Sequence, residues 1–247
     1  MTLATAAPSQ LLLGPDIWSW YFSLSTVGDE GIPILRGSTI SVRPQTMTPL
    51  QNVRTTSLRS SDTLIHVYTN DKVNVRLAKN PLRYFDRVST SPAFVSPDLS
   101  MYRILPRSMR VFHTIVNRGV GAVLQSRGVE VIPNVAWSSP KDYDFCFLGI
   151  ESRSAVAISS HGRIRDPEDR YYFEHGVVEL VERLSPRLVI LYGASTRGVD
   201  RSLKSVNEVW KYPCHQSEVR NSDGWLSWNQ ADSVRSFTSK HYSASSD

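Results

Sequence analysis

Three consecutive stretches carry the fold: Ser154-Ala-Val-Ala-Ile-Ser159, then Asp166-Pro-Glu-Asp-Arg-Tyr-Tyr-Phe-Glu-His-Gly176 running on to Leu184, then Arg187-Leu-Val-Ile-Leu-Tyr-Gly193. The first and third are short, nearly unbroken apolar runs, the pattern of strands buried on both faces. The middle one opens with a helix start signal. Asp166 is placed to cap free amides, Pro167 fits the first helical position, and Glu168 and Asp169 complement the helix dipole. Tyr172, Phe173, Val177, Leu180, Val181 and Leu184 then form one apolar stripe. Gly176 inside that stripe points to close contact between helix and sheet, and Pro186 ends the helix. Strand, helix, strand in this order is the unit of a parallel sheet.

Working outward, the same alternation fills residues 62–214. Thr63 to Tyr68 and Ala93 to Ser96 read as strands, with a short helix over 72–79 between them. Pro106 opens a long helix whose Met109, Phe112, Ile115, Val116, Val120, Val123 and Leu124 share a face, and Gly128 closes it. Val129 to Ile132 is a strand stopped by Pro133. Residues 140–148 and 199–208 read as short helices, and about 209–214 as a last strand. The expected class is α/β: a mostly parallel sheet of about five strands with helices on both faces, or alternatively a partial β/α barrel. The chain divides into an irregular N-terminal arm (1–60) with aromatic anchors Trp18, Trp20, Tyr21 and Phe22, a core (61–214), and a tail (215–247) carrying Trp225 and Trp228.

Composition narrows the class. The chain has 247 residues, 40% of them hydrophobic and 21% charged, with a net charge of +5. That excludes a disordered chain and allows a sizeable core. Two cysteines cannot build a disulfide framework, and neither has zinc-ligand spacing. No apolar run is long enough to span a membrane and no signal-peptide pattern opens the chain, so a cytoplasmic location is expected. The charge is uneven. Residues 61–120 hold nine basic residues (Lys72, Arg76, Lys79, Arg83, Arg87, Arg103, Arg107, Arg110, Arg118) against four acidic ones, and the flanking regions are close to neutral. Such a stretch is either a solvated Arg-rich surface or an electrostatic footprint for a polyanion.

Parallel sheets bind ligands at the carboxyl ends of their strands. The candidates there are Asp98 and Ser100; Asn134 with Trp137; Ser160 and His161; and Tyr192, Ser195 and Arg197. Asp98 suits a general base, with a loop cap as the plain alternative. His161 suits a lone acid/base. Its neighbour Ser160 points to the opposite face of a strand, so the two make a poor nucleophile pair. Gly193 to Arg197 resembles a short phosphate-binding turn without being a P-loop.

These residues also carry a family likeness. Ser96-Pro97-Asp98-Leu99-Ser100-Met101-Tyr102, Asn117-Arg118 with Gly121, Gln125 and Gly128, Val131-Ile132-Pro133-Asn134-Val135 with Trp137, Asp144-Phe145-Cys146-Phe147 with Gly149-Ile150, His161-Gly162 and Tyr192-Gly193 together resemble the domain-of-unknown-function family numbered forty-four seventeen. Ile32-Pro33-Ile34 resembles its opening. The likeness covers roughly residues 31–205. It implies a phage, prophage or mobile-element context, and it transfers no catalytic role. Two functional readings stand. One is a protein that binds or processes a nucleotide or nucleic acid at the strand-end rim, with Asp98 and His161 as the reactive pair, Asn134 and Ser160 orienting the substrate and Arg197 on phosphate. The other is a non-enzymatic protein that binds a host factor or itself through the aromatic arm and tail. No cofactor and no metal follow from the residues.

Overall fold

The computed structural model describes residues 20–53 and 62–214, all within a unit that ends at Cys214. Trp18 and the tail with Trp225 and Trp228 lie outside the described residues.

Seven parallel strands follow one another in chain order: β3 (Thr46–Pro49), β4 (Thr63–His66), β5 (Phe94–Val95), β6 (Val131–Ile132), β7 (Ala155–Ser159), β8 (Leu188–Tyr192) and β9 (Glu208–Tyr212). An antiparallel ribbon, β1 (Thr26–Val27) with β2 (Ile32–Pro33), precedes them. Ladders join β3 through β6, and β7 through β9. The two groups meet where Ala157 N–H donates to Pro133 O and Val135 N–H donates to Ala157 O, both at 2.8 Å. The helices are α1 (Asp71–Lys79), α2 (Phe85–Val88), α3 (Arg107–Gln125), α4 (Pro167–Leu184) and α5 (Arg197–Ser202).

Alternate residues of the strands separate two kinds of core. Ile65, Phe94 and Val131 pack with Leu77 and Ala78 of α1 and Val116, Val120 and Leu124 of α3. Val156, Ile158, Val189 and Leu191 pack with Phe173, Val177 and Leu180 of α4. Among the described residues, the opposite strand faces meet one another and neighbouring loop residues. Met47, Leu64, Val95, Ile132, Ala157, Ile190 and Trp210, one from each strand, belong to a single buried cluster without a helical member. Across strands, the Tyr68 and Tyr192 rings stack at 4.8 Å and His66 lies 4.6 Å from Tyr192. In a flat sheet β4 and β8 stand four strands apart, roughly 19 Å at about 4.8 Å per step. The sheet is therefore curled upon itself.

The expected α/β class and parallel sheet are present, with seven parallel strands where about five were expected. Of the two expected architectures, the filled interior matches the partial barrel, because one strand face is consumed by facing strands and the helices gather on the other. Between the first and last strands no ladder forms among the described residues. The seam is held by Tyr212 OH donating to Pro44 O at 2.6 Å and Arg43 Nη2 donating to Lys211 O at 2.9 Å.

Local signals behave as the residues require. Asp166 accepts from the Glu168 and Asp169 amides at 2.9 Å each. Gly176 is needed for its size: a Cβ there would lie 2.0 Å from Trp137 Nε1. Gly149, at φ 72°, lets residues 149–150 approach β2, where a Cβ would meet Pro33 O at 2.2 Å. Residues 140–148 form only a 3-10 turn, Pro140–Asp142, followed by further turns. Trp20 is buried, with its indole N–H on Ala78 O at 3.0 Å.

Candidate functional site

Because the strands run parallel, their carboxyl ends share one rim: His66 closing β4 with Tyr68 just beyond it, Asp98 after β5, Asn134 after β6, Ser160 and His161 after β7, Tyr192 closing β8 and Cys214 after β9. Asp98 and Asn134 are joined directly, Asn134 Nδ2 donating to Asp98 Oδ1 at 2.8 Å. Asn134 Oδ1 accepts from Tyr68 OH at 3.0 Å. Tyr68 in turn stacks on Tyr192, whose carbonyl accepts the Ser160 amide at 3.0 Å. Five rim residues from five strand ends thus form one connected polar and aromatic layer.

The layer is braced from α3. Ser96 Oγ donates to Asn117 Oδ1 at 2.9 Å and accepts the Asn134 amide at 2.8 Å, and Asn117 Nδ2 donates to the carbonyls of Pro97 and Asn134. Arg118 is buried, has no carboxylate partner among the described residues and spends its donors on Asn117 Oδ1, Asn134 O (2.7 Å), Cys146 O (2.8 Å) and Leu148 O (3.2 Å). Burial pushes its pKa down to about 10. Polar residues on the buried face of a helix are expensive unless paired, and here each pairs with strand-end or loop backbone.

Asp98 is the group whose electrostatics stand out. Protein atoms crowd the carboxyl while part of it stays open, and this burial pushes its pKa from 3.8 up to about 6, helped by Asp71 and opposed by the Asn134 hydrogen bond and Arg163. Its backbone is fixed on both sides by Asn74 of α1, which accepts from Asp98 N at 3.2 Å and donates to Asp98 O at 3.0 Å. Arg163 spreads over the rings of Trp137 (5.3 Å) and Phe173 (5.2 Å) and donates to Trp137 O. Burial lowers its pKa, which Asp98 partly offsets. A carboxyl pushed up to about 6 by burial, held by an amide donor and within electrostatic reach of a guanidinium, suits general acid or base chemistry close to neutral pH.

His161 is exposed; its ring Nδ1 lies 3.2 Å from Cys214 Sγ, and partial burial together with Arg165 pushes its pKa down. Ser100 stands in the same loop as Asp98, its amide on Asp71 Oδ1 at 3.2 Å and its carbonyl 2.8 Å from His113 Nδ1. The remaining candidates separate. Trp137, expected to touch a substrate, is fully buried, stacks on Phe173 at 5.7 Å and gives its N–H to Tyr172 O at 3.0 Å, so it is a packing residue that supports Arg163 from below. The Ser160 hydroxyl is committed to Ala194 O at 2.7 Å. Ser195 binds Asp200 across the first turn of α5. Arg197 is exposed at the start of α5. Among the described residues, no cluster of three His, Cys, Asp or Glu side chains suits a metal ion.

Sequence reasoning missed Tyr68, Asn74, Arg163 and Cys214. Asn117 and Arg118 stood within the family-like motif without a role. The signal for these two was present: polar residues at positions where helical periodicity demands burial.

A family model described as Domain of unknown function (DUF4417) matches residues 24–213. The "Gene 1 protein" of Mycobacterium phage D29 is 36% identical over 163 residues, covering 65% of this chain and 59% of the phage protein. The "Gene 1 protein" of Mycobacterium phage L5 is 34% identical over 160 residues, covering 65% of this chain and 70% of its own length. This chain thus spans less than two thirds of the D29 relative. No solved structure matches. With a family model covering about three quarters of its length, the chain belongs to the family described as Domain of unknown function (DUF4417).

Proposed function

We propose that the protein binds or processes a nucleotide or nucleic acid at the rim formed by the carboxyl ends of its parallel strands. The observation that carries this reading is Asp98: a carboxyl with its pKa raised to about 6, hydrogen-bonded by Asn134 and facing Arg163. In this reading Asp98 is the acid/base group. His161, its imidazole pushed toward the neutral form by partial burial and Arg165, is a second proton acceptor on the same rim. Ser100 and Asn134 orient the substrate, and the exposed Arg197 takes an outlying phosphate. The phage relatives support a setting in which nucleic acid is the abundant polyanion. Docking through the aromatic arm and tail, the other expectation, falls largely on residues outside the described ones.

The test is anisotropy with labelled single- and double-stranded DNA and RNA, titrated in salt from about 50 mM upward, since phosphate-driven binding weakens steeply with salt. Salt-dependent binding that drops severalfold in the pair Asp98→Asn, His161→Ala is expected. Absence of binding to every nucleic acid and nucleotide at the lowest salt overturns the reading.

A further inference from the structure

Folding redistributes the positive charge of residues 61–120. Arg103 pairs with Glu168 and Asp169, Arg107 with Glu30 and Asp144, and Arg110 with Asp142. Arg118 is buried against carbonyls, and half-buried Arg87 lies over the Tyr84 ring at 5.9 Å. Lys72, Arg76, Lys79 and Arg83 remain. All four are exposed and, among the described residues, none has a carboxylate within ion-pair reach. Spacings of four and three residues put Lys72, Arg76 and Lys79 on one face of α1, spanning about 10 Å at about 1.5 Å per residue. Arg83 continues the series on the 3-10 turn Pro81–Tyr84. The acidic neighbours are Asp71, which holds the Ser100 amide, and exposed Asp86 on α2.

The chemistry of this face selects its partner. A helix that inserts into a lipid surface needs its apolar face free. The apolar side of α1, Leu77 and Ala78, is spent on the core, leaving only Val75 (42% exposed) and Leu82 (39%) beside the cations. A row of unpaired Lys and Arg without an apolar anchor fits a regularly charged phosphate chain. The face also begins at the candidate site. Asn74, on the inner side of the same helix, clamps both backbone groups of Asp98.

We propose that Lys72, Arg76, Lys79 and Arg83 form a track for the sugar–phosphate backbone of a nucleic acid whose recognised unit lies at the Asp98 rim. The direction of the track rests on the proposed function above. The track extends the footprint beyond the rim, so binding strengthens with oligonucleotide length.

The test uses the full chain with three sets of substitutions. The first is Lys72→Gln, Arg76→Gln, Lys79→Gln and Arg83→Gln together. The second, carrying the same charge change elsewhere, is Arg127→Gln, Lys141→Gln, Arg201→Gln and Lys204→Gln. The third is Asp98→Asn alone. The probes are labelled single-stranded DNA and RNA of about 30 nucleotides, long enough to overrun a single site, and vesicles of phosphatidylserine with phosphatidylcholine. The track set is expected to lose about 3 from the slope of log affinity against log salt, at about 0.7–0.9 per phosphate contact, and at least roughly tenfold in affinity. The control set should lose much less, and Asp98→Asn should leave the slope unchanged. Equal losses in track and control sets overturn the track. So does track-dependent binding to vesicles without binding to nucleic acid. If the track set alone weakens oligonucleotide binding and no rim substitution changes affinity or turnover, the rim reading fails while the track stands as a nucleic-acid face.

Discussion

Asp98 holds its proton more tightly folded than unfolded, because the carboxylate is crowded by protein and faces Asp71. Between about pH 4 and about pH 6 the folded chain keeps a proton that the unfolded chain releases, so this group's contribution to stability falls as pH rises through that window. Asp98→Asn keeps an acceptor for Asn134 and removes the titration. The variant's urea midpoint, relative to wild type, is expected to rise from about pH 4 to about pH 7. A difference that stays flat with pH would show that the carboxyl does not titrate there. Gly176 makes the opposite kind of prediction. A single methyl would drive into the Trp137 indole, so Gly176→Ala should destabilise by about 3 kcal/mol in denaturant melts despite alanine's better helix propensity. Asp98 and Asn134 were legible as polar residues at strand ends. Arg163 was not, because its position depends on Trp137, from the loop after β6, and Phe173, from α4, meeting beneath it.

α4 was legible almost residue by residue, since its cap, its proline and its stripe are local. Asp166→Ala removes the carboxylate oxygen that accepts from two backbone amides and should cost about 1 kcal/mol, read from the denaturation midpoint. α3 was legible in position and less so in its face. Met109, expected to be inside, is 46% exposed, while Arg110, Thr114, Asn117, Arg118 and Gln125 are buried. Apolar periodicity cannot register a buried face built from side chains whose polar groups are paired, Asn117 and Arg118 with strand-end and loop carbonyls, Gln125 with Arg36 O, Arg110 with the Asp142 carboxylate and Thr114 with Arg110 O. β5 and β6, two residues each, were found because Pro97 and Pro133 end them sharply, not because of their own pattern.

Taken as one molecule, the decisive contact is between strands four places apart. Tyr68 and Tyr192 should show a coupling of about 1 kcal/mol in a double-mutant cycle with leucine substitutions, measured by urea unfolding. Additive effects would contradict a curled sheet. The identities of β4 to β9 and of α1, α3 and α4, the parallel direction, the cap of α4 and the polar strand ends were settled by the sequence alone, because each depends on spacing, turn chemistry or burial within a few residues. β1, β2 and β3, in the expected irregular arm, and the turns at 140–148 were not. The tertiary structure decided the curl, the joining of Asp98 to Asn134 and Tyr68, the withdrawal of Trp137 into the core and the sorting of nine basic residues into paired, buried and free. Those outcomes depend on side chains meeting across the strand order, a distance that no local pattern records.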